Sequence, residues 1–211
     1  MPTQTYLHAG NLFDTDIKHD VSGARTAFAA GRPVIIIDTV AGGETVADVC
    51  IAAEELDVAK AAFLVEHTCG ILSATVDVAT SDRLDLPLLR PDLRREAGRF
   101  CVAVDARGDS TGISARARAE TISRLADPAA SAGDFSRPGH VIPVLTGGLF
   151  ALSRWSRYDA AAELSRSVGR SGVVAVASLV DGLVGATGDY IDQFASWHRF
   201  PVIAASAFKR F

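Results

Sequence analysis

Two uninterrupted branched-apolar runs constrain this chain more than any other feature: PVIIID at Pro33 to Asp38 and GVVAVASLV at Gly172 to Val180. A strand with one wet face alternates apolar and polar residues, whereas a continuous β-branched run marks a strand buried on both faces. Such strands need helices packed on each side of their sheet. The chain supplies them. Asp20 to Ala30 is Ala-rich, with Asp20 or Ser22 as N-cap and Gly31 at the left-handed position that ends a helix. Asp57 to Glu66 reads as a second helix, and about Ala115 to Leu125 as a third, capped by Ser114. Asp189 to Phe200 is amphipathic, with Ile191, Phe194, Ala195 and Trp197 directed to the core. Between them lie further strands: VCIAA, ILSATV, the alternating RFCVAVDA with Phe100, Val102 and Val104 on its buried face, and PVIAA. Strands alternating with helices predict an α/β layered fold, one domain over residues 1–211.

Composition narrows the function. No apolar run reaches the ~20 residues of a membrane-spanning helix, and MPTQTYLHAG lacks a basic segment followed by an apolar one, so a cytoplasmic protein is expected. The three cysteines, Cys50, Cys69 and Cys101, are widely spaced and form no CxxC pair, which argues against a disulfide framework and a structural zinc site. A net charge of -4 with scattered arginines leaves no nucleic-acid footprint and no polybasic membrane patch. The expected partner is a small molecule.

The candidate site starts in DFSRPGHVIPVLTGGLFALSRWSRYDAAAEL, Asp134 to Leu164. A Pro-Gly turn carries His140, which is either a turn histidine bonded to backbone or a proton-transfer group. Arg154 and Arg157 precede an Ala-rich helix, where unpaired N–H groups and the helix dipole favour an anion. Ser156 to Asp159 also reads as a plain helix cap. Thr111, Gly112 and Ser114 form a small-residue loop where a phosphate could approach backbone N–H groups, and the loop Thr39 to Asp48 holds a Gly pair with Glu44 and Asp48. His67 reads as a helix-terminal histidine or a catalytic one.

Several of these segments, in this order and spacing, resemble the 3,4-dihydroxy-2-butanone 4-phosphate synthase family: GRPVIIID, the H-x-x-G-I pattern of His67 to Ile71, LDLP, FCVAVDA, TGISA with Arg118 and Thr121, RPGHVIP and AAAEL. The resemblance implies a three-layer α/β sandwich around a mixed sheet, and a homodimer with active sites near the subunit interface. It also implies a magnesium-dependent lyase that converts ribulose 5-phosphate to a four-carbon phosphate plus formate. Carried over by position, Glu44 takes the place of the metal-binding glutamate, Asp48 that of a substrate-binding aspartate, and Arg154 that of the phosphate-binding arginine. His140 keeps the histidine of the RPGH motif.

Other motif positions differ. Where the family reads R-G-G-H-T-E, this chain reads Arg154-Trp155-Ser156-Arg157-Tyr158-Asp159, which puts Arg157 where the magnesium-binding histidine stands. Gly43 replaces an arginine, Val46 a glutamate and Val176 a late catalytic glutamate. A guanidinium offers a metal no lone pair. The expectation is therefore a diverged homologue with no metal and no cofactor, performing enolisation, elimination, rearrangement or cyclisation on a small, anionic carbonyl compound. In that reading His140 moves protons with Glu44 or Asp48, and Arg154, Arg157, Trp155, Tyr158, Thr111 and Ser114 contact the substrate. The authentic synthase, using magnesium, and a noncatalytic binding homologue are the alternatives.

Overall fold

The computed structural model describes residues 20–40, 43–89, 99–148 and 155–208. In chain order the main elements are α1 (Val21–Ala29), β1 (Val34–Thr39), β2 (Thr45–Ala52), α2 (Val58–His67), β3 (Leu72–Asp77), α3 (Val78–Arg83), β4 (Val104–Ala106) and α4 (Ala115–Ala126). They continue with β5 (Phe135–Thr146), α5 (Arg157–Ser167), β6 (Val174–Ser178), β7 (Val180–Asp181), β8 (Val184–Gly185), α6 (Gly188–His198) and β9 (Val202–Ala204). Seven strands form one sheet in the order β4-β5-β3-β6-β2-β1-β9, and β7-β8 is a separate hairpin. The sheet is mixed: β3 runs parallel to β5 and β1 to β9, while the other neighbouring strands are antiparallel.

The branched runs behave as their chemistry requires. Val34, Ile35, Ile36 and Ile37 are all buried, but alternate residues enter different layers. Ile35 and Ile37 join Val49, Leu64, Leu72, Ile122 and Phe194 on one face of the sheet. Val34 and Ile36 join Phe28, Tyr158, Ala161, Leu164 and Phe208 on the other. The result is the three-layer sandwich the sequence implied.

Helix starts follow the polar residues available. Asp20 rather than Ser22 caps α1, accepting from the Gly23 N–H at 2.8 Å, and Asp57 caps α2 through the Lys60 N–H at 2.7 Å. Ser114 caps α4 through the Ala117 N–H at 3.1 Å. His67 closes α2 and packs among Phe63, Phe194 and His198, a structural placement. Burial among these rings and the neighbouring His67 lower the His198 pKa.

Three expectations are corrected. The acidic loop is shorter than Thr39 to Asp48, because Thr45 pairs with Thr39 and Val46 with Asp38, so Asp48 sits inside a strand. In RFCVAVDA the regular strand is only Val104–Ala106, and it is Cys101 and Val104 that are buried, while Val102 is partly exposed. Trp197 is 70% exposed. Ile191, Phe194, Ala195 and His198 share one stripe of α6 at a 3.6-residue period, and Trp197 falls off it.

Candidate active site

His140 owes its position to a break in strand pairing. Val104 pairs with Val141, but the next residue, Asp105, pairs with Ser136, so residues 137–140 of β5 have no partner on β4 and bulge from the sheet. The bulge turns His140 onto Asp105. One carboxylate oxygen accepts the His140 backbone N–H at 2.8 Å, and the other lies 2.8 Å from imidazole Nδ1. Asp105 is 7% exposed, whereas the His140 side chain is 38% exposed, so the acid is enclosed and the imidazole reachable.

Two glycines make this packing possible. A Cβ on Gly139 would lie 2.0 Å from the Val104 carbonyl carbon, and one on Gly112 would lie 1.9 Å from an Asp105 carboxylate oxygen. Gly112 also has a φ of +82°, which suits glycine. The imidazole opens on a cavity of about 370 Å³ whose polar wall comprises Asp105, Arg107, Ser110, Thr111, Ser136 and His140. Thr111 lines this cavity beside His140. Ser114 does not, and its hydroxyl is committed to capping α4. A larger hollow of about 690 Å³ between α2 and α4 carries none of the candidate residues.

A second cluster lies on the α5 side of the sheet. Asp48 on β2 and Ser178 on β6 are paired across the ladder. Asp48 is fully buried; one oxygen accepts from the Ser178 hydroxyl at 2.7 Å and the other from the Arg157 guanidinium. Arg157 also donates to the Tyr158 hydroxyl at 2.9 Å, lies 4.4 Å from that ring's centroid, and gives its backbone N–H to Asp38. This network is a closed structural clasp. None of Glu44, Asp48, Arg157 or Tyr158 lines the His140 cavity.

The remaining candidates separate. Glu44 is exposed on the β1–β2 turn, near the β7-β8 hairpin. Trp155 packs against the apolar layer under α5, and its indole N–H donates to the Ala205 carbonyl at 2.8 Å. That tether anchors the C-terminal segment. Arg154 lies outside the described residues. Ser156 and Asp159 form the capping box that a helix cap predicts, but Arg157 between them is buried and paired with Asp48 rather than solvated. Asp159 also accepts from the Gly147 N–H at 2.9 Å and from buried Arg99 at 2.8 Å.

Sequence alone does not single out Asp105, Ser178 or Arg99. Asp105 had one usable signal, as an acid ending an apolar strand just before the Thr111-Gly112 loop. Ser178 and Arg99 had none, since their partners lie 130 and 60 residues away.

A three-layer sandwich around this mixed sheet, with a histidine–carboxylate pair at a small polar cavity, defines the class of α/β protein to which the chain belongs. The family model for 3,4-dihydroxy-2-butanone 4-phosphate synthase matches residues 22–211, and the chain belongs to that family. It is 35% identical over 187 residues to the riboflavin biosynthesis protein RibBA of Salinispora tropica, covering 87% of this chain and 46% of the relative. It is 37% identical over 189 residues to RibBA of Mycobacterium tuberculosis strain H37Ra, covering 87% and 44%. The chain thus spans less than half the length of these relatives. Among solved structures, a 3,4-dihydroxy-2-butanone 4-phosphate synthase in complex with two magnesium ions superposes with a TM-score of 0.77 at 31% identity, covering 89% of this chain and 93% of that one. RibBX, a two-domain synthase from A. baumannii, superposes with a TM-score of 0.80 at 25% identity, covering 89% and 56%.

The magnesium complex corrects the expectation of no cofactor, because a synthase with this fold carries the ion. Magnesium requires several oxygen ligands in near-octahedral array. Among the described residues, no three of His, Cys, Asp and Glu come together as such a group, and Asp48 is engaged by Arg157 and Ser178. Magnesium commonly takes one or two protein carboxylates and completes its octahedron with water and substrate oxygens, and Glu44, the exposed carboxylate of the β1–β2 turn, is the described candidate for such a role. Among the described residues, no helix is long and apolar enough to cross a membrane.

Proposed function

We propose that this chain is a lyase of the synthase type, acting in riboflavin biosynthesis on ribulose 5-phosphate to give 3,4-dihydroxy-2-butanone 4-phosphate and formate. The observation that carries the reading is His140, an accessible imidazole backed by an enclosed carboxylate at a polar cavity. Breaking down a hydroxyketone begins with removal of a proton next to the carbonyl, and a positioned histidine contributes typically about 10²- to 10⁴-fold to such a step. Thr111, Ser110 and Arg107 give the cavity hydroxyl and cationic groups suited to the substrate's phosphate and hydroxyls.

The chain acts as a homodimer in this reading. The aliphatic residues Ile71, Ile113 and Leu183 are 55%, 58% and 103% exposed, and a second copy is a natural cover for them. Light scattering at twice the chain mass supports the dimer, and a monomer at all concentrations rejects it.

The Arg157–Asp48 clasp favours a second reading, in which the chain has diverged to act on another small hydroxy-carbonyl compound, because an ion pair stands where the resemblance places a metal-binding histidine and a substrate-binding aspartate. Incubation of the purified chain with ribulose 5-phosphate and magnesium separates the two. Formate release supports the synthase. No formate, together with His140-dependent turnover of a different hydroxy-carbonyl phosphate, supports the second reading.

A further inference from the structure

We propose that Asp105 is the positioning residue that determines which nitrogen of His140 carries the proton, an assignment that rests on reading His140 as the proton-transfer group. Both Asp105 carboxylate oxygens serve the same residue: one takes the His140 backbone N–H and the other faces Nδ1, each at 2.8 Å. An ionised carboxylate only accepts hydrogen bonds, so the proton of the neutral imidazole sits on Nδ1. The Nε2 lone pair is left to act as base. Without this partner the two tautomers compete, and the form protonated at Nε2 has no lone pair at that nitrogen.

The backbone that carries the carboxylate is itself fixed. Ala106, next in the chain, donates its N–H to the Thr121 hydroxyl at 2.9 Å, which ties the end of β4 to α4. Gly112 lies so close to the carboxylate, and Gly139 to the Val104–Asp105 backbone, that neither position admits even a methyl group without displacement. The glycines of the TGISA and RPGH segments thus leave the room in which Asp105 sits against His140.

Asparagine at this position makes a discriminating test, because it replaces one of two acceptors with a donor. If the amide oxygen keeps the backbone N–H of His140, the amide NH₂ faces Nδ1 and favours the tautomer with its proton on Nε2. The measurement is ¹⁵N NMR of the imidazole nitrogens, with His140 assigned by its loss in His140→Ala. The wild type should show neutral His140 protonated at Nδ1. Asp105→Asn should move the proton to Nε2 and lower kcat for formate release about 10²- to 10⁴-fold, with KM within a few-fold. A wild-type imidazole protonated at Nε2 overturns the proposal, as does an Asp105→Asn variant with unchanged turnover. The tautomer is read without substrate. A chain that releases no formate yet shows the Nδ1-to-Nε2 change removes the synthase reading and leaves the tautomer assignment standing.

Discussion

Asp48 and Arg157 meet as an enclosed ion pair that ties the centre of the sheet to the first turn of α5. Removing one member of such a pair leaves a buried charge without its partner, which costs about 3–5 kcal/mol. Asp48→Ala should therefore lower the urea midpoint sharply, and the double variant Asp48→Leu with Arg157→Met should recover much of the loss. Equal destabilisation by the single and double variants would mean that the pair is not the clasp described.

Gly139→Ala should destabilise the protein by about 1–3 kcal/mol through overpacking against the β4 backbone. Gly112→Ala adds a strained φ of +82° to a clash with the Asp105 carboxylate, so it should both destabilise the fold and displace that carboxylate. Thermal unfolding should register both variants. The Gly112 variant should also disturb the His140 imidazole resonances, and unchanged spectra would show that Gly112 does not seat Asp105.

Truncation along α6 tests which face is buried. Ile191→Ala should cost about 2–5 kcal/mol as a core cavity. Trp197→Gln should lie within about 0.5 kcal/mol of wild type, as for other exposed positions. A large loss at Trp197 would reinstate the sequence expectation.

The cysteines should differ in their accessibility to a thiol reagent. Burial pushes the Cys101 thiol from 9.0 to about 11 and raises Cys50 well above its ordinary value, while Cys69 is exposed. Only a thiolate reacts readily, so a thiol reagent at pH 8 should modify Cys69 quickly and the other two only on unfolding. The raised acids favour the folded state fully below pH 9.0, and their contribution falls as pH rises towards about 11, because the unfolded chain releases those protons first. Stability that increased across that interval would contradict the burial of both thiols.

The sandwich was legible because its signals are local. PVIIID has no polar face to leave in water, and Asp57 and Ser114 stand where helix starts need acceptors. His140 and Thr111 could be nominated from the RPGH and TGISA segments for the same reason. Their relation to Asp105 could not, since it depends on a register break between β4 and β5 that leaves residues 137–140 unpaired. Arg157 at a helix start has the sequence context of an anion contact, but what it meets is set by the pairing of β2 with β6. The exposure of Trp197 is not legible in the sequence, because the stripe of α6 is narrow and His198, not the larger ring, continues it.

The central claim is that His140 drives synthase-type breakdown of a phosphorylated ketopentose. The most direct measurement is ¹³C NMR of uniformly labelled ribulose 5-phosphate incubated with magnesium and either the wild-type chain or His140→Ala. The account predicts matched growth of formate and four-carbon phosphate signals with wild type, and a rate lower by about 10²- to 10⁴-fold with a folded His140→Ala. Undiminished formate release by His140→Ala, or none by the wild type, would contradict it.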